Sequence, residues 1–325
     1  MKAIVYSRFG SPDVLELREV GQPKAGEGEV LVRVHAASVN PADWYAMTGT
    51  PYVARPQMGL RKPKGNGPGL DLAGEVTAVG GNVTRFKPGD EVFGAATGTL
   101  AEYVAASEDG LVPKPANLSF EQAAAVPVAG LTALQGLRDK GRVQQGQQVL
   151  INGASGGVGT FSVQVAKALG AQVTAVCSTR NLQQAEELGA DESIDYTVHD
   201  FTCDGRRYDI LIDLVGNRRL RDLGRALAPG GILVLSGGGV PGTGRIIGPL
   251  GLLVRAQLWT RLTRTRLVAP LGVPDTRNLT ELGRLLASGE VRPVIETTYP
   301  LEHSARAIRH LETQHATGKV VLVAR

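Results

Sequence analysis

Asn152-Gly153-Ala154-Ser155-Gly156-Gly157-Val158-Gly159 follows a short apolar run, Val149 to Ile151, and leads into an amphipathic segment, Val158 to Leu169. Strand, glycine turn, helix is the order that a dinucleotide pyrophosphate requires. Glycines let the backbone turn and approach the phosphates, while the helix start presents free N–H groups and a positive dipole end. Matched to G-x-G-x-x-G, the stretch puts Ala154 at the first position, then Gly156 and Gly159, with Ser155, Gly157 and Val158 filling the turn. Such turns also occur as plain strand–helix connections, so the surrounding residues decide.

The first of these is the end of the next apolar run, Ser178-Thr179-Arg180. An NAD site wants Asp or Glu there for the ribose hydroxyls, and no acid stands before Glu186. Two hydroxyls and a guanidinium suit a 2′-phosphate instead, which favours NADP(H) over NAD; the competing reading of Arg180 is a solvated loop charge. Tyr196, ending a third run, either covers the adenine or its phosphate or is an edge-of-sheet tyrosine. Val215-Gly216 and Ser236-Gly237-Gly238 close a fourth and a fifth run, where a parallel sheet offers backbone to a cofactor. Metal chemistry finds no support: His35, Asp71, Glu75 and Cys177 lack ligand spacing, and neither His-x-x-x-His nor Cys-x-x-Cys occurs.

These residues need a scaffold, and strand–helix alternation over the second half supplies one. Strands are expected at 149–151, 172–176, 193–196, 209–215, 231–236 and 267–271. Helices are expected at 131–140, 158–169, 182–188, 218–227 (stopped by Pro229-Gly230) and 280–286. This is an α/β chain with a doubly wound parallel sheet of six strands. Residues 2–122 read as β-rich, with strands near 30–36, 74–79 and 100–104, turns at Asp71 and Pro88-Gly89-Asp90, and an irregular loop over 55–69. Such a pattern suggests a small barrel or folded-over sheet. Short strands return near Tyr299 and at 319–323, so the two ends build one domain, 1–122 with 290–325, around a nucleotide domain at 123–289.

Bulk properties agree. A length of 325 residues suits two domains, and 42% hydrophobic with 20% charged residues fits a globular chain. A net charge of +4 with 31 acidic residues leaves no nucleic-acid footprint; the small excess suits an anionic small molecule. Two cysteines allow no disulfide framework. The start lacks a signal-peptide core, and Ile246–Leu262 is broken by Arg255 and Arg261, so the expectation is a cytoplasmic protein. The apolar segment from Gly248 to Trp259 is read as a lid or subunit contact in preference to a membrane-surface helix.

Four motifs in order, Asn40-Pro41-Ala42-Asp43, Gly69-Leu70-Asp71-Leu72-Ala73-Gly74-Glu75-Val76, Val126 to Ala133 and the glycine turn, with Gly318-Lys319-Val320-Val321 near the end, resemble the medium-chain dehydrogenase/reductase superfamily in its zinc-independent quinone oxidoreductase branch. The resemblance covers nearly the whole chain. Where zinc-dependent members carry Cys, this chain has Asn40, and Leu70-Asp71-Leu72 stands where they carry Gly-His-Glu. It implies a GroES-like barrel domain beside a Rossmann domain, NADPH as cofactor, and a homodimer or tetramer. It also implies Asn40 near the nicotinamide, donating to a substrate oxygen, against a plain turn residue before Pro41. Asp43 either orients neighbours or caps a helix. Tyr45 falls near the family's active-site tyrosine and Tyr52 is a second candidate, each against an ordinary pocket wall. Thr132, read as lying at a helix start, resembles the threonine at the nicotinamide end; Lys319 reaches the cofactor or is solvated. The expected reaction is hydride transfer from NADPH to a quinone or an activated alkene (enone or alkenal) without metal. Reduction of ketones or enoyl thioesters, and a low-turnover NADPH-binding sensor or crystallin-like protein, are the alternatives.

Overall fold

Runs rich in Val, Leu, Ile and Ala, punctuated by Gly and Pro turns, become the strands. The structure, a computed structural model, describes all residues except 65–66, 237–250, 252–255, 257–265, 270–271, 273, 314–316 and 325. The chain divides into two compact units. Unit 1 is Met1–Leu131, Val273–Ser288 and Pro293–Arg325; unit 2 is Thr132–Gly272 and Gly289–Arg292.

In unit 1, β1 (Lys2–Val5) and β2 (Glu16–Glu19) form an antiparallel pair. The larger sheet uses β3 (Glu29–Val39), β4 (Asp71–Val79), β5 (Glu91–Ala95), β6 (Tyr103–Ser107) and β7 (Leu111–Pro113). It is completed by the last two strands of the chain, β14 (Ile295–Pro300) and β15 (Lys319–Val323), in the order β14-β15-β3-β4-β5-β7, with β6 also on β3. Val30, Val32, Leu72, Val76, Val92, Val320 and Leu322 are fully buried in its core. Each such side chain contributes roughly 1.5–3 kcal/mol on burial. Register then places the polar residues: Ser38 pairs with Asp71, and Val39 pairs with Val320, the neighbour of Lys319. Asp71, expected in a turn, opens β4 and is completely buried.

The helices of this unit are short. They are α1 (Pro41–Thr48), α2 (Arg55–Met58), α3 (Phe120–Ala124), the first part of α4 (Pro127–Leu134) and, late in the chain, α8 (Thr276–Ala287) and α9 (Ser304–Thr313). The loop expected to be irregular over 55–69 thus holds one helical turn, α2, with proline at its tolerated early position.

Unit 2 holds β8 (Gln148–Asn152), β9 (Gln172–Cys177), β10 (Glu192–Asp195), β11 (Tyr208–Asp213), β12 (Leu227–Leu235) and β13 (Arg266–Val268). Its helices include α5 (Gly157–Ala168), α6 (Leu182–Glu187) and α7 (Leu220–Arg225). All six strands are parallel in the order β10-β9-β8-β11-β12-β13, or 3-2-1-4-5-6 in sequence terms. The order reverses between β8 and β11, and ligands of such sheets bind outside the carboxyl ends at that point.

Among the boundaries that differ from expectation, two have a clear local reason. The helix expected at 131–140 begins at Pro127 and gives way to a π-helical stretch, Gln135–Gly141, closed by the left-handed Arg142. Thr132 therefore lies inside a helix, not at its start. Pro229-Gly230 does not stop a helix either. Leu227 already pairs with Tyr208, and Ile232 with Ile210, so 228–231 bulge from β12 with Pro229 and Gly230 in solvent. Among the described residues no helix is long and apolar enough to cross a membrane. The apolar segment from Gly248 to Trp259 lies almost wholly outside the described residues.

Candidate active site

In unit 2 the turn after β8 divides its work among three glycines spaced by three. Gly153, not Ala154, makes the sharp bend: its φ is +90°, and a Cβ there would lie 2.8 Å from Val215 Cγ2. Ala154 is buried, and the N–H groups of both residues donate to the Val176 carbonyl at 3.1 Å. Gly159 lets α5 pass close to the strand, since a Cβ there would fall 2.1 Å from the Gly153 carbonyl oxygen. Gly156 is different. A Cβ there would meet only Gly153 O at 3.6 Å, so its hydrogen faces open space. Gly156 is also the N-cap of α5 and lends it no side-chain cap. Ser155, Gly157 and Val158 are partly exposed beside it. An uncapped helix N-terminus with room above a glycine is what a pyrophosphate fits. The spacing G-x-x-G-x-x-G from Gly153 was the available signal.

The carboxyl edge of the sheet adds a buried acid that sequence reasoning missed. Asp213 ends β11 opposite Asn152; its Oδ1 accepts from Asn152 Nδ2 at 2.9 Å, Val215 N at 3.1 Å and Gly216 N at 3.0 Å. The N–H groups of Val215 and Gly216 are thus engaged inside the protein. Asp213 Oδ2 is buried with no hydrogen-bond partner among the described residues, an acceptor that suits a ligand donor. Ser236 N donates to Asp213 O at 3.0 Å, while Gly237 and Gly238 lie outside the described residues.

At the far end of the edge, Ser178 Oγ accepts from Asn181 Nδ2 at 3.3 Å, Thr179 Oγ1 donates to Asp195 at 2.5 Å, and Arg180 is exposed. Tyr196 is 40% exposed and anchored by its N–H to Cys177 O at 3.1 Å. Burial pushes the Cys177 thiol up to about 11. Thr132 is buried within α4.

Unit 1 holds a buried polar network of its own. Asp71 Oδ2 accepts from Ser38 Oγ at 2.7 Å, Asn40 Nδ2 at 2.9 Å and Lys319 Nζ at 3.3 Å, and Oδ1 accepts from Val128 N at 2.9 Å. Lys319 also donates to Asn40 Oδ1 at 2.5 Å and to Val39 O at 3.3 Å. Lys319 is 4% exposed, so the solvated alternative does not hold. A lysine only donates and a carboxylate only accepts, which fixes which way the Asn40 amide faces. One hydrogen of Nδ2 remains beyond the bond to Asp71. Asp43 accepts from Asn40 N at 2.8 Å and Gly69 N at 3.1 Å, so it both caps α1 and ties two loops together. Burial above all, with the nearby Asp71, raises its pKa to about 7 against the opposing pull of these hydrogen bonds and Lys319.

Tyr45 is half-buried edge-on to Trp44, with ring centroids 5.1 Å apart, and burial raises its hydroxyl pKa. Tyr52 is 42% exposed under the Arg55 guanidinium, 4.4 Å from its ring centroid. Tyr6, which sequence reasoning passed over, has its pKa raised by burial and by the charge of Asp43. Among the described residues no three His, Cys, Asp or Glu group to hold a metal.

Comparison with known proteins identifies the family. Residues 26–116 match the family described as "Alcohol dehydrogenase GroES-like domain", and residues 188–322 match "Zinc-binding dehydrogenase". A quinone oxidoreductase homologue of Spinacia oleracea chloroplasts is 33% identical over 99% of this chain and 98% of its own length. The chloroplastic NADPH-dependent alkenal/one oxidoreductase of Arabidopsis thaliana is 33% identical over 99% of this chain and 79% of its own. The solved quinone oxidoreductase of Coxiella burnetii superposes with a TM-score of 0.86 at 34% identity, covering 100% of this chain and 99% of that one. The chain belongs to the medium-chain dehydrogenase/reductase superfamily, in its quinone oxidoreductase-like group.

Proposed function

We propose that this chain is an oxidoreductase that transfers hydride from NADPH to a quinone or to an activated alkene, an enone or alkenal, without a metal. The observation that carries the reading is the built turn of unit 2, with Gly153 bending, Gly159 packing and Gly156 left open at an uncapped helix start. NADPH, when bound there, supplies the hydride. The N–H groups of Gly157 and Val158 hold the pyrophosphate, and Arg180 meets the 2′-phosphate with Ser178, Thr179 and Tyr196 around it. The names of the spinach and Arabidopsis relatives support the acceptor class and the NADPH dependence.

Negative charge grows on the acceptor oxygen as hydride arrives, and N–H or O–H donors must meet it. The Asn40 amide and the hydroxyls of Tyr45 and Tyr52 are the candidates, with a tyrosine or water supplying the proton. Asn40 in place of a thiolate ligand supports metal independence. Small hydrophobic acceptors and a homodimer complete the reading.

The test is steady-state oxidation of NADPH and NADH with 1,4-benzoquinone, 9,10-phenanthrenequinone and alkenals, repeated with chelator. Acceptor-dependent NADPH consumption that survives chelation is expected. No consumption with any acceptor would overturn the reading.

A further inference from the structure

The ribose end of unit 2 carries an acid that arrives from the third strand. Register sets Asp195, the last residue of β10, beside Cys177, the last residue of β9. Its Oδ2 accepts from Thr179 Oγ1 at 2.5 Å, and its Oδ1 accepts from Thr197 N at 2.9 Å and Thr197 Oγ1 at 2.7 Å. These bonds, that of Thr179 foremost, hold the carboxyl below its ordinary pKa although it stands at the surface. Asp195 is therefore an anion at neutral pH.

The polarity of one hydrogen bond has a consequence for the ligand. A hydroxyl has a single hydrogen. With that of Thr179 given to Asp195, the rest of Oγ1 presents lone pairs. A 2′-phosphate, with a second pKa of about 6, offers mostly acceptors at neutral pH. The Thr179 hydroxyl has nothing to donate to it, and the carboxylate repels it. A plain ribose 2′-hydroxyl has a hydrogen to give to either group. Arg180, next in sequence, favours the phosphate by charge. The two sides of this corner pull in opposite directions.

We propose that Asp195 is a specificity-determining residue which, by holding the Thr179 hydroxyl and placing a fixed negative charge at the ribose end, narrows the preference for NADPH and admits NADH as well. The inference rests on the reading of unit 2 as the dinucleotide site.

Calorimetric titration of the full chain with NADPH, NADH, 2′,5′-ADP and 5′-AMP tests it in the wild type, Asp195→Asn and Asp195→Ser. In Asp195→Asn the amide nitrogen donates to Thr179 Oγ1 and frees its hydrogen from the carboxylate; Asp195→Ser removes the charge with a different side chain. Both variants are expected to raise the NADPH-to-NADH affinity ratio by roughly 5-fold or more, chiefly by tightening NADPH and 2′,5′-ADP. Most of the gain should fade between about 0.05 and about 0.5 M salt, because surface charges are screened. A ratio that stays within about twofold of wild type in a variant with unchanged melting temperature overturns the inference and leaves the NADPH reading standing. A wild type that binds neither dinucleotide overturns both.

Discussion

Lys319 and Asp71 lie 248 residues apart in sequence and 3.3 Å apart in the fold, both essentially out of solvent. Each buried charge is compensated by the other, beside hydrogen bonds to neutral groups. Lys319→Met should cost about 3–5 kcal/mol in urea unfolding, because it strands a buried carboxylate, and adding Asp71→Asn should recover part of the loss. A double variant no more stable than Lys319→Met would remove this account. Asp43 adds a pH dependence. Its folded pKa, raised to about 7, exceeds its unfolded value of about 3.9, so folding takes up a proton between these values. Its contribution is fully present below about pH 4 and is lost as pH rises through about 7. Relative to Asp43→Asn, the wild type should lose stability from pH 5 to 8; a flat difference in denaturation midpoints across that range counts against it. These roles were barely legible beforehand. Asn40 and Lys319 came from motif resemblance, but Asp71 reads as a turn residue because a buried acid and a solvated one look alike until the partner strand is in place.

At the level of elements, the six-stranded parallel sheet was written plainly in alternating apolar runs and Gly stops, while the strand order emerges only from the pairing in the fold. The glycine turn was legible only to within one residue. A template keyed to Gly156 put Ala154 first, whereas the bend needs a positive φ that Gly153 alone adopts. The start of helix α4 is not legible in the sequence, because Pro127 is as acceptable inside a first turn as outside it. Gly156 and Gly159 make a paired prediction. Gly159→Ala should destabilise by about 2–4 kcal/mol, since its Cβ meets backbone atoms that cannot move aside. Gly156→Ala should keep stability within about 0.5 kcal/mol, because its Cβ enters open space, and on the proposed placement of the pyrophosphate should weaken NADPH by roughly tenfold or more. Equal stability losses in both, seen by thermal unfolding, would contradict that division.

For the whole molecule, the thiols offer a probe of unit 2. Cys177 is buried at the end of β9 and Cys203 is exposed. A thiol reagent should label Cys203 quickly and Cys177 only when the sheet opens. NADPH at about 100 times its dissociation constant should slow the labelling of Cys177 about 100-fold, as opening must first release the ligand. Unchanged labelling at saturating NADPH would place the nucleotide elsewhere.

β15 occupies an inner place in the unit 1 sheet, between β14 and β3, although all of unit 2 is translated before it. During synthesis β3 and β4 emerge early and must wait about as long as unit 2 takes to be made, with Asp71 lacking its counter-ion. The continuous stretch 132–272 can close its sheet on the ribosome in the meantime. Unit 2 is therefore expected to close first, with Lys319 reaching Asp71 only once β15 has been made and can pair with β3.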